Sequence, residues 1–162
     1  MSRVHLETSF LSACVSTRQD AASQVRRDQS RRWWVQQRGL HDLFVSAEVV
    51  RELSSPDYPH SDRAMALAAS VSMLTLNDEI RGLAKILIRQ KVMPGPEGAG
   101  DAVHVAVATV HQIDVVLSWN VRHLANRNKT AHLREICRRL GYVPPEILTP
   151  EAFWIEPEEN GI

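Results

Sequence analysis

Cysteine, aromatic residues, net charge and long apolar runs are all scarce in this chain. Only two cysteines occur, Cys14 and Cys137, far apart and in no Cys-x-x-Cys pair. That argues against a disulfide framework and a structural zinc site, and fits a reducing cytoplasm. Nineteen basic residues balance nineteen acidic ones. Overall charge therefore drives the chain toward neither nucleic acid nor membrane, although a local basic face stays open. No apolar run approaches bilayer-spanning length. The short apolar stretch after Arg3 and His5 is interrupted by Glu7, unlike a signal peptide, so neither export nor a membrane partner is expected. Repeats and low-complexity tracts are missing. So are a Walker-type glycine loop and an Asp-x-Asp pair after the first strand, which argues against two common phosphate chemistries.

What is present is an ordinary globular composition: 162 residues, 44% apolar and 23% charged. That length suits one domain with a real core. We read a single domain over 1–162, with a core of about 3–142 and a C-terminal extension of about 143–162. Val4 to Leu6 reads as a first strand, with Ser9 as the cap of a following helix. A polar helix is expected from Asp20 to about Gln37, ending near Gly39. Leu43 to Val45 reads as a strand, and Ser46 opens a short helix carrying Glu48 and Glu52. Helices are expected over Ser61–Ser72, from an Asn77 cap to Lys91, from Asp101 to about Gln112, and over Lys129–Leu140. Leu133, Ile136, Cys137 and Leu140 form the apolar stripe of the last of these. Met73–Leu76 is a brief strand, Met93–Gly100 a Pro/Gly loop, and Val115–Leu117 a strand covered on both faces. Strands alternating with helices predict an α/β fold with a mainly parallel sheet.

Four of these elements carry a polar residue at the expected sheet edge: Glu7, Glu52, Asp101 and Asn120. In a parallel α/β sheet, ligands bind beyond the carboxyl ends of the strands. Carboxylates gathered there repel one another, and a hard cation such as Mg²⁺ or Mn²⁺ relieves that repulsion. The competing reading is bland. Each acid can simply cap a helix or face solvent: Glu48 lies one helical turn before Glu52, and Asp101 follows Gly100 as an N-cap would.

Four segments together resemble the PIN-domain nucleases, the fold of toxin ribonucleases from bacterial toxin–antitoxin pairs. Leu6-Glu7-Thr8-Ser9 is similar to the family's opening motif, usually Asp-Thr-Ser. Ser46-Ala47-Glu48-Val49-Val50-Arg51-Glu52-Leu53 resembles the second, with Glu52 as its acid. Gly100-Asp101-Ala102-Val103-His104 resembles the third. Leu117-Ser118-Trp119-Asn120, continuing through His123-Leu124-Ala125-Asn126, resembles the fourth, and its Trp-Asn form looks like that of a PIN-like subgroup. The resemblance covers nearly the whole chain, from Val4 to about Phe153. It implies a PIN-like three-layer fold, a central sheet flanked by helices, and metal-dependent hydrolysis of RNA phosphodiesters by the toxin of a toxin–antitoxin pair. It also implies that Glu7, Glu52 and Asp101 hold Mg²⁺ or Mn²⁺, directly or through water. Asn120 and Ser118 would orient water or an outer ligand, and Thr8 and Ser9 would support the site. On this reading Asp101→Asn abolishes cleavage with the fold intact. The family further implies a homodimer and a small antitoxin partner. Two departures stand out. Glu7 replaces the usual Asp and reaches one methylene further, and Asn120, where many members have Asp, offers an oxygen without charge.

His104, one turn after Asp101, reads as a core-edge histidine bonded to backbone, with support of Asp101 as its functional alternative. His123 and Asn126 read as structural. Arg122, Arg127 and Lys129 border the expected cleft and are the candidates for RNA phosphate contact. Arg26, Arg27, Arg31 and Arg32 read as a solvated helix face, with phosphate contact as the alternative, and Trp33 or Trp34 reads as packed into the core or a dimer contact rather than stacked on a base. Two rival functions stand beside the nuclease: a non-catalytic PIN-like module that binds RNA or protein, and a small-molecule phosphatase built on the same acids.

Overall fold

A computed structural model describes residues 1–95 and 100–156. The middle of the expected Pro/Gly loop, the acidic end of the chain and the side chain of His123 lie outside the described residues.

The chain runs β1 (Arg3–Leu6), α1 (Thr8–Val15), α2 (Ala21–Gln37), a 3-10 turn (Arg38–Leu40), β2 (Asp42–Ser46), α3 (Ala47–Leu53), α4 (Ser61–Ala69), β3 (Ser72–Leu74) and α5 (Asp78–Arg89). It continues with α6 (Asp101–Val110), β4 (Val115–Leu117), α7 (Val121–Leu124), α8 (Arg127–Leu140) and β5 (Glu146–Leu148). The five strands form one sheet in the order β3-β2-β1-β4-β5. Every pairing is parallel, with His5 flanked by Phe44 on one side and Val116 on the other.

Strand alternation sorts the core into two layers. Val4, Leu6, Val45, Val115 and Leu117 face one layer, where Phe10, Leu11, Trp33, Val49 and Leu53 pack from α1, α2 and α3. Val116 and Leu74 face the other, against Ile80 and Leu87 of α5, Val103 and Val107 of α6, and Leu133 and Ile136 of α8. The result is the three-layer α/β arrangement expected from the sequence. No described helix is long and apolar enough to cross a membrane. Both cysteines are buried and free.

Local chemistry sets the helix ends. Asp20 accepts from the Ser23 amide at 3.1 Å, Asn77 from the Ile80 amide at 2.9 Å and Asn126 from the Lys129 amide at 3.0 Å. Gly141 ends α8 with φ 81°, a left-handed conformation that glycine adopts without Cβ strain. Asn77→Ala should therefore lower stability by about 1 kcal/mol, read as a fall in denaturation midpoint at unchanged slope.

Several expectations are corrected. The first helix is capped by Glu7 rather than Ser9, because the Glu7 carboxylate accepts from the Ser9 amide at 3.0 Å. The fourth helix stops at Ala69, since β3 already begins at Ser72. Leu140 is exposed, because α8 ends there and the core stripe stops at Cys137. The sequence reading missed β5 and α7. Both are very short, and β5 follows Pro144-Pro145 directly, a place where a strand at a sheet edge tolerates the missing N–H donors.

Candidate metal centre at the carboxyl edge of the sheet

Strand order reverses between β1 and β4: from β1 the chain adds β2 and β3 on one side, then crosses to β4 and β5 on the other. Such a switch point leaves a crevice at the carboxyl ends of the two central strands. Glu7 follows β1, and Ser118-Trp119-Asn120 follow β4.

Glu7 is only 4% exposed. One of its oxygens, Oε2, accepts from the Ser9 amide at 3.0 Å, from the Ser118 hydroxyl at 2.8 Å and from the Ser9 hydroxyl. The Ser9 and Ser118 hydroxyl oxygens lie 3.2 Å apart. Each also accepts a backbone amide: Trp119 N–H to Ser9 at 2.9 Å, and Asn120 N–H to Ser118 at 2.9 Å. The turn after β4 is thereby fastened to the turn after β1 through two serines and one carboxylate.

Glu52 arrives from α3, with its side chain 27% exposed. Its Oε1 accepts from Thr8 Oγ1 at 3.2 Å and is paired with His104 Nε2 from α6. That same nitrogen lies 3.8 Å from Glu7 Oε1. Glu7, Glu52 and His104 each present a donor atom within 4.8 Å of the others. Burial alone would push the His104 imidazole toward neutrality. Its bond to Glu52 and the charges of Glu7, Glu52 and Glu48 outweigh burial and hold its pKa above the usual histidine value. Burial likewise opposes charge on Glu52, but the His104 bond, with Thr8 and Arg51, holds its carboxyl below the usual range.

Asp101 stands outside this trio. It occupies the first position of α6, after Gly100, which adopts φ 77° and takes the cap position itself. The cap reading of Asp101 therefore does not hold. Its Oδ1 accepts from Asn120 Nδ2 at 3.2 Å, and Asn120 connects through its own amide to Ser118 and so to Glu7. Glu7, Asp101 and Asn120 thus belong to one hydrogen-bonded network, and Glu52 is linked to it through His104, which lies 3.8 Å from Glu7.

The structure separates Glu52 from Glu48. Glu48 is 1% exposed, pairs with Arg51 and accepts the Gly100 amide at 2.9 Å. It ties α3 to the start of α6. His104 was expected to bond backbone; instead it bonds Glu52, and its Nδ1 has no hydrogen-bond partner among the described residues. The spacing of Asp101 and His104 on one helix face was the available signal for it. Among the basic candidates, Arg122 and Arg127 are exposed, and no hydrogen bond or ion pair joins either to the acidic network among the described residues. Lys129 lies in the first turn of α8, where its amide meets the Asn126 cap.

No family model matches the chain, and no curated protein matches it. Solved structures do. The VapC20 toxin of Mycobacterium tuberculosis, described as cleaving the sarcin–ricin loop, is 19% identical at a TM-score of 0.56, over 88% of this chain and 99% of its own. A chain of VapBC2 from Rickettsia felis, bound to a DNA fragment from its promoter, is 10% identical at a TM-score of 0.57, over 90% of this chain and 97% of its own. The likeness is one of fold: the chain has the PIN-like α/β architecture of these toxin structures.

Proposed function

We propose that the protein is a divalent-metal-dependent endoribonuclease, the toxin half of a toxin–antitoxin pair acting in the cytoplasm. The convergence of Glu7 and Glu52 at the switch point, with Asp101 tethered beside them, carries this reading. Both neighbours come from toxin or toxin–antitoxin structures, and one is described as cleaving the sarcin–ricin loop.

The donor set fits Mg²⁺ or Mn²⁺, which prefer carboxylate oxygens. Glu7 and Glu52 would hold the ion, with Asp101 acting at one remove. His104 is the weaker ligand candidate, because a protonated Nε2 directed at Glu52 has no lone pair to give. It is better placed as the group that orients Glu52. When bound, the cation would neutralise charge on the phosphate and lower the pKa of an attacking water.

The chain's own residues do the positioning. Ser9 and Ser118 fix Glu7, Thr8 and His104 fix Glu52, and Asn120 fixes Asp101. Glu52 commits Oε1 to Thr8 and His104, which leaves Oε2 to face the ion. Water oxygen would bond to phosphorus as one P–O ester bond breaks, the water's proton passing through solvent to the departing oxygen, so that one phosphate end and one hydroxyl end are left. The antitoxin and a second copy of the chain are the proposed protein partners.

Incubation of the purified protein with mixed RNA and Mn²⁺ should yield chelator-sensitive cleavage. No cleavage, together with no heat of Mn²⁺ binding by calorimetry, would remove the nuclease reading and leave the non-catalytic module. Asp101→Asn should reduce cleavage by about 10–100-fold rather than abolish it, the usual effect of a group acting through an outer contact. A single-turnover assay checks this, and full retained activity would take Asp101 out of the site.

A further inference from the structure

A cavity of about 230 Å³ opens beside the acidic network, lined among others by Ser9, Arg18, Arg26, Tyr58 and Trp119. Ser9 is the shared wall: the hydroxyl that bonds Glu7 also receives the Trp119 amide. The indole is locked in place by its nitrogen, which donates at 2.8 Å to the hydroxyl of fully buried Ser30. Its polar edge is thus satisfied inside the protein while the ring remains half-buried at the cavity. The Arg26 guanidinium sits 5.8 Å from the ring centroid. It is exposed and has no carboxylate partner among the described residues. Arg18 stands at the rim, paired at 3.2 Å with the exposed Asp20. Tyr58 has its hydroxyl held by Ser12 at 2.6 Å. Burial, and the nearby charges of Glu7 and Glu52, raise its pKa above the usual tyrosine value. The cavity and the acids are therefore electrostatic neighbours.

A fixed aromatic face beside unneutralised arginine is the chemistry that receives a single-stranded nucleic acid: bases stack on the ring, and phosphates meet the guanidinium. The volume is below that of a typical drug-sized site, so it suits one ring system rather than a large ligand. We infer that this cavity holds one unpaired nucleotide of the RNA strand next to the scissile phosphate, its base against Trp119 and its phosphate against Arg26. The inference rests on the ribonuclease reading and assigns to it a base-holding cavity built by Trp119 and Arg26. Arg26 can leave the ring for a phosphate because no carboxylate holds it. Arg122 and Arg127 do not line this cavity, so Arg26 adds a phosphate contact to those expected of Arg122, Arg127 and Lys129.

The test uses fluorescence anisotropy with a short labelled oligoadenylate and with an abasic chain of equal length, both in excess EDTA so that nothing is cut. The native protein should bind the oligoadenylate about tenfold to hundredfold more tightly than the abasic chain. Trp119→Ala should erase that preference, and Trp119→Phe should keep most of it. Arg26→Ala, an exposed substitution that does not endanger folding, should weaken both probes alike and flatten the salt dependence. An unchanged base preference in Trp119→Ala, or none in the native protein, overturns the proposal. Because the readout needs neither metal nor cleavage, base-dependent binding by a protein that fails to cut with Mn²⁺ would uphold the cavity and sink only the hydrolase.

Discussion

Glu7→Gln should lower RNA cleavage by about 10²–10³-fold while leaving the metal-free protein as stable as the native one. The separation of the two effects follows from how the carboxylate is used. Oε2 carries the structural duty, accepting from the Ser9 amide and from the Ser9 and Ser118 hydroxyls. A glutamine oxygen can accept the same three donors, so the cap of α1 and the clasp between the two turns survive. Oε1, near His104 Nε2 at 3.8 Å, faces the other acid. An amide NH₂ there is neutral and presents hydrogens where a cation would need an oxygen. The native protein should gain thermal stability with added Mn²⁺, since a ligand that binds only the folded state shifts unfolding by mass action. In Glu7→Gln that gain should vanish while the midpoint without metal stays in place. Cleavage at the native rate by a well-folded Glu7→Gln protein would show that this carboxylate is only a helix cap.

How much of this was legible in the sequence depends on the range of the interaction involved. Glu7, Asp101 and Asn120 could be read because each sits where a strand or loop gives way to a helix, a local pattern with few alternatives. Asn77, Asp20 and Gly141 are local in the same way. Ser9 and Ser118 were named through the resemblance, but the clasp they make could not be read, because it exists only once the parallel sheet sets the ends of β1 and β4 side by side. Glu48 and Glu52 lie one turn apart on one helix face, and only the resemblance favoured Glu52. Only the packing of α3 against α6 assigns Glu48 to the Gly100 amide and Glu52 to His104. Trp119 was visible only as part of a motif. Its role as a cavity wall depends on Ser30, which α2 delivers to the indole from far along the chain. Arginine-rich α2 read as a solvated face, yet Arg31 donates to the Cys14 carbonyl at 2.7 Å and Arg32 lies over Trp154. Long side chains of this kind cover apolar surface while keeping their charge in water.

His5 should make the fold acid-sensitive, and His5→Leu should remove its share of that sensitivity. The residue lies mid-strand in β1, fully buried, with neither ring nitrogen bonded to any described residue. Burial first, then the proximity of His104 and His111, lowers its pKa to about 3. The unfolded chain takes up a proton near pH 6.5, and the folded chain resists until far lower pH. Between those values the unfolded state binds more protons, so stability falls as pH falls. The loss attributable to His5 is about 2 kcal/mol between roughly pH 7 and pH 5, approaching about 5 kcal/mol at the bottom of the window. His104 acts with the opposite sign: its raised pKa adds stability below the unfolded value that is lost as pH rises through the folded one. Glu52, with its lowered pKa, loses its contribution only as pH falls below the ordinary glutamate range. His41, whose pKa burial also lowers, shares this window but is common to both proteins, so the difference between the native and His5→Leu proteins in urea denaturation across about pH 5 to 7 isolates the strand histidine. Leucine matches the apolar layer formed by Phe44, Val116 and Val103 and leaves no ring nitrogen to desolvate. The variant should therefore equal or exceed the native stability at neutral pH, and its advantage should widen on acidification. If the two denaturation curves instead shift in parallel with pH, His5 gains a partner in solution and its burial carries no proton penalty.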